Sequence, residues 1–116
     1  MLFGKFLRKK RSRLQEKDDF YSLRKMAGRI GVEPSYLSKV ERGETAPPSE
    51  AKIIALAEEL GEDPDVLLAM AGKVSTDLQA IIRARPKLFA RMIRELKKVP
   101  AEQVENMVKR VRDGNW

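Results

Sequence analysis

No cysteine and no histidine occur among the 116 residues. Their joint absence removes disulfides, thiolate nucleophiles, imidazole bases and the usual zinc ligands, so neither catalysis nor transition-metal binding is expected. Aromatic residues are sparse at 6%, too few for a platform on which the bases of a single strand would stack. No apolar run approaches the roughly 20 residues of a membrane span. The opening MLFGKFLRKKRSR carries no apolar block behind its charges of the kind a signal peptide needs. The expectation is a cytoplasmic protein that is not an enzyme, uses no cofactor and does not enter a membrane.

What is present is charge and helical periodicity. Apolar residues make up 42% and charged residues 35%, the composition of a soluble, largely helical protein of about one domain. The formal charge is +7, with 12 basic against 5 acidic residues over 1–42, 1 against 7 over 43–72, and 11 against 5 over 73–116. Two basic blocks flank an acidic one. A basic block can attract nucleic acid by counterion release, an acidic membrane surface or an acidic partner, and charge alone does not choose among them.

Apolar side chains recur at i, i+3, i+4 and i+7 in Leu23, Met26, Ala27 and Ile30, and again in Ile53, Leu56, Ala57 and Leu60. Phe89, Met92, Ile93 and Leu96 repeat the pattern, as do Val104, Met107, Val108 and Val111, whereas strand-type alternation is almost missing. The fold class is all-α. Asp63–Pro64 reads as a helix start, because the carboxylate accepts an orphan amide and proline at the first helical position lacks one. Ser49 is a second cap, and Pro86 and Pro100 open later helices. The spacing predicts helices near 2–14, 22–30, 34–41, 49–60, 64–71, 76–84, 87–97 and 101–112. The boundary falls between Gly72 and Ser75, giving an N-terminal domain over 1–73 and a C-terminal helical extension over 74–116.

Only a few residues separate the helix after Ser22 from the helix at Pro34, with Gly31 at the bend. So short a link between two amphipathic helices makes them cross steeply, which is a helix-turn-helix. Ala27 supplies the small side chain at the crossing, and Ile30, Val32, Leu37 and Val40 fill the wedge. Pro34 presets the first turn of the second helix, so that Ser35, Tyr36, Ser38 and Lys39 project from a rigid helix end suited to a DNA groove.

The stretch SLRKMAGRIGVEPSYLSKVERGETAPPSEAKIIALAEELGEDPDVLL resembles the helix-turn-helix of the Xre/Cro/CI family of bacterial and phage regulators. The likeness rests on its small residue, bend glycine, Tyr-Leu-Ser and Glu-x-Gly close. It implies a lambda-repressor-like five-helix domain that binds double-stranded DNA as a dimer on a palindromic operator. By the same resemblance Pro34, Ser35 and Lys39 face base edges. Tyr36 and Ser38 lie nearer the phosphates, Ser22 and Arg24 clamp the backbone, and Arg42 reaches a phosphate. Arg11 and Glu41 match the structural arginine and glutamate that pair inside the fold. The chain departs from the family in Glu33, where Ser or Thr is usual and glutamate caps poorly. It departs also in LQEKDDFY, which is longer than the usual link after the first helix and makes either a longer loop or an extra turn.

Other readings compete at several positions. The run LRKKRSR is a solvated face, a membrane-surface patch or a phosphate contact, with Lys9, Lys10 and Arg13 on the solvated side. Leu2, Phe3, Phe6 and Leu7 are expected to pack against the helix-turn-helix and not to lie on a membrane, since a small domain needs that apolar area. The Tyr36 ring can cover the core instead of meeting a phosphate. Asp63 and Asp65 are explained by capping and the helix dipole and not by acid-base chemistry. The three C-terminal helices bury their stripes either against a second copy or on the acidic helices, which RARPKLFARMIRELKK complements in charge. The expected function is a sequence-specific repressor acting as a homodimer. The alternative is an antitoxin or adaptor whose C-terminal helices hold a protein partner.

Overall fold

The computed structural model describes residues 2–116, all helix and connection, with no strand among them. The chain is all-α. It divides into two compact units, one ending at Ser75 and the other running from Thr76 to Trp116. No described helix is long and apolar enough to cross a membrane.

The first unit contains α1 (Leu2–Lys17), α2 (Leu23–Ile30), α3 (Pro34–Glu41), α4 (Glu50–Leu60) and α5 (Pro64–Met70). Its core takes Phe3 and Leu7 from α1, Met26, Ala27 and Ile30 from α2, and Leu37 and Val40 from α3; Ile53, Leu56, Ala57 and Leu60 of α4 and Leu67 and Leu68 of α5 complete it. Each large side chain sealed in this way contributes about 1.5–3 kcal/mol. Leu2 remains exposed and Phe6 is half-buried against the cluster, so α1 packs on the core with one side. Val32 and Tyr36 also lie half-buried at its edge.

Helix ends follow the backbone chemistry of their residues. Ser22 accepts from the Lys25 amide at 3.3 Å, Ser49 from the Lys52 amide at 3.4 Å and Asp63 from the Asp65 amide at 2.8 Å, each meeting a donor the helix leaves unpaired. Glu33 occupies the cap position of α3 and makes no capping bond, while Pro34 fills the first helical position. Pro86 does the same for α7, one residue earlier than the periodicity predicts. The surplus residues after the first helix make extra turns and not a longer loop. Helix α1 runs on to Lys17, and Asp19–Tyr21 then make a single 3₁₀ turn capped by Asp18, which accepts from the Phe20 amide at 3.0 Å.

The second unit holds α6 (Thr76–Ala84), α7 (Pro86–Leu96) and α8 (Ala101–Arg112). None of its residues is buried. Ile81, Leu88, Met92, Ile93, Val108, Val111 and Trp116 are all among its exposed apolar side chains.

Candidate nucleic-acid interface

Three residues, Gly31 to Glu33, join α2 to α3. Gly31 has φ 79° and ψ 38°, a left-handed conformation that lets the Val32 amide turn back and donate to Ala27 O at 3.0 Å. From α4, Lys52 Nζ donates to Ile30 O at 2.7 Å, so a cation closes the carbonyl end of α2 where the helix dipole favours it. The bend is thus fixed from two sides. Sequence reasoning missed Lys52, because nothing local connects it to a carbonyl 22 residues away.

Helix α3 is held by its inward face and bare on its outward face. Leu37, Val40 and Glu41 are buried. Ser35, Ser38, Lys39 and Arg42 follow at i, i+3, i+4 and i+7, a spacing that gathers them on one side of a helix. Ser35, Lys39 and Arg42 are exposed there, and Ser38 is half-buried. The Lys39 side chain makes no ion pair or hydrogen bond among the described residues, whereas Arg42 donates to Ser38 Oγ at 3.0 Å and pairs with Glu44 at 3.0 Å. Pro34 and Tyr36 are half-buried, the tyrosine packed at the core's edge. The Ser22 hydroxyl oxygen accepts from the Lys25 amide to cap α2, which leaves its O–H as a donor, and Arg24 stands exposed in the first turn of that helix.

Arg11 and Glu41 meet inside the unit. Arg11 Nε donates to Glu41 Oε2 at 2.6 Å and Nη2 to Oε1 at 2.9 Å, while Nη1 reaches Gln15 Oε1 at 2.9 Å and Tyr21 O at 3.3 Å. With the two residues 8% and 6% exposed, this fork ties α1 and the 3₁₀ turn to the last residue of α3. Close by, α1 approaches the same helix end with no side chain between. A Cβ on Gly4 would overlap Val40 O and lie 2.7 Å from Glu41 O. The aim of α3 is therefore set by α1 as well as by α2.

Two further anchors carry no local sequence signal. The Arg29 guanidinium lies 3.5 Å from the centre of the Phe20 ring, donates to Phe20 O at 2.7 Å and pairs with Glu59 at 2.8 Å. It pins the 3₁₀ turn to α2 and α4 at once. Lys10, read from sequence as solvated, pairs with Glu62 at 2.8 Å. No group of three or more acidic side chains able to hold a metal ion occurs among the described residues.

A short-linked helix pair, with the outer face of its second member open, decides the motif. The family model described as a helix-turn-helix domain matches residues 2–70, more than half of the chain. The chain belongs to the helix-turn-helix domain family. No curated protein and no solved structure matches it. The matched residues of this helix-turn-helix chain begin in α1 and end with the last residue of α5. In helix-turn-helix domains the second helix of the pair enters the major groove while the first crosses the backbone.

Proposed function

We propose that the chain is a transcriptional regulator of the Xre/Cro/CI type, a repressor that binds double-stranded DNA sequence-specifically and performs no catalysis. The observation that carries this reading is the outward face of α3, where Ser35 and Lys39 are exposed in the first and last turns of a helix whose other face is locked into the core. Pro34, Ser35 and Lys39 contact base edges; Ser22, Arg24, Tyr36, Ser38 and Arg42 contact the phosphate backbone. Arg11 and Glu41 hold the helix that reads. On this reading the protein works in the cytoplasm, residues 1–73 bind the DNA, and residues 74–116 join two copies. The apolar side chains left exposed on α6–α8 support the last assignment.

Selection of bound duplexes from a random pool tests the reading. The expected product is an inverted repeat whose half-sites lie about 34 Å, one helical turn, apart. Lys39→Ala and Ser35→Ala change the selected sequence, whereas Arg24→Ala weakens binding to all sequences alike and lowers the salt slope by about one. A pool that stays random after selection with the intact chain overturns it.

One observation favours a second reading. An open apolar groove of about 820 Å³ runs between α7 and α8, lined by Met92, Leu96, Val104, Met107, Val108 and Val111. An antitoxin or adaptor would present such a groove to a different protein, and the mass of the assembly in solution separates that reading from a homodimer.

A further inference from the structure

A cleft of about 200 Å³ opens between α1, the first residue of α2 and the last turn of α3, lined by Arg8, Arg11, Leu23, Ser38, Glu41 and Arg42. Its charges do not cancel. The Arg11 guanidinium is consumed by Glu41 on the inner wall, and Arg42 is steadied at the rim by Ser38 and Glu44. Arg8 lines the cleft, is exposed and makes no ion pair or side-chain hydrogen bond among the described residues, so its five donors are without a protein partner. A guanidinium packed for structural reasons finds a carboxylate or carbonyl, as Arg11 and Arg29 do here.

The position of the cleft indicates what it takes. Ser38 and Arg42 belong to the same outward row as Ser35 and Lys39, and Arg42 lies three residues beyond Lys39, about 4.5 Å further along the helix axis. On the DNA-binding reading, a duplex seated on that row would run one of its sugar-phosphate strands past this end of α3, where the cleft opens. We infer that Arg8 and Arg42 form a two-arginine clamp on a backbone phosphate of bound DNA, with Arg8 supplied by α1, outside the helix pair. The inference rests on the DNA-binding reading above and adds to it a contact that the helix pair alone does not contain. Two planar forks suit a tetrahedral oxyanion with several acceptor oxygens. Because the Arg11–Glu41 fork and the Gly4 contact hold α1 against α3, the backbone positions that carry the two arginines are fixed before DNA arrives, and Arg42 exchanges its bond to Glu44 for the phosphate.

The test is a salt titration of the full chain with a mixed-sequence duplex of about three helical turns, followed by a sequence selection with each variant. Arg8→Ala is expected to bind about 5- to 10-fold more weakly at low salt, with the salt slope lowered by about one and the selected sequence unchanged. Arg8→Lys keeps the slope and recovers part of the affinity, since lysine retains the charge without the fork. Lys9→Ala removes an equal charge from the same helix at a residue that does not line the cleft, and it loses less than about twofold. Circular dichroism confirms that each variant is folded. Equal affinity and slope for Arg8→Ala and the parent chain overturn the clamp, as does an equal loss in Lys9→Ala or an altered selected sequence. If the parent chain itself fails to bind the duplex, the DNA-binding reading falls and the clamp with it.

Discussion

The two units share the same helical grammar and use it to opposite ends. In both, apolar residues recur at three- and four-residue steps and prolines open helices. Yet in the first unit thirteen apolar side chains are buried among the described residues, and in the second none is, with nine large apolar side chains left exposed. Amphipathicity says that a helix has a face to cover, not what covers it. Five helices wrapped around each other satisfy their own stripes. Three short ones in about 40 residues lie near the size where a chain needs help to fold, and their stripes form a surface instead of a core.

The largest expected effect breaks the first unit. Glu41→Ala leaves the Arg11 guanidinium buried without its partner, which costs about 3–5 kcal/mol, and chemical denaturation of the full chain should show this loss while the helices of the second unit keep their signal. A loss below about 1 kcal/mol would mean the fork contributes little. Next in size is Gly4→Ala. Its methyl group meets the Val40 and Glu41 carbonyls, and the overpacking is expected to cost about 1–3 kcal/mol and to shift the amide resonances at the end of α3. An unperturbed spectrum would show that α1 yields easily. Smallest in the first unit is a change made in the second. Val108→Asp, in the apolar groove, should alter the first unit's stability by no more than about 0.5 kcal/mol. It should also abolish a concentration-dependent rise in hydrogen-exchange protection across α6–α8. If α6–α8 are as protected as α4 at every concentration, the contrast between the units fails.

Sequence legibility followed the range of each interaction. The bend at Gly31, the proline at the start of α3 and the buried set of α4 depend on neighbours within a turn or two, and their residue types announce them. The fork between Arg11 and Glu41 spans 30 positions, and only the family resemblance pairs those residues. Arg29 with Phe20 and Glu59, Lys10 with Glu62, and Lys52 with the Ile30 carbonyl had no such help. Each joins a charge to a group that becomes its neighbour only after the helices have packed. The longer segment after α1 was legible as an irregularity. Its division into an extra helical turn and a 3₁₀ turn depends on Asp18 as a cap and on Arg29 as a clasp, the second of which lies in another helix.

Backbone meeting backbone at Gly4 leaves no cushion of side-chain atoms to be thickened or thinned by degrees. The angle at which α3 is presented is consequently hard to adjust by small substitutions, since the first available step is already a collision. Substitutions on the outer face of α3 change what the helix displays and leave the mount beneath as it is.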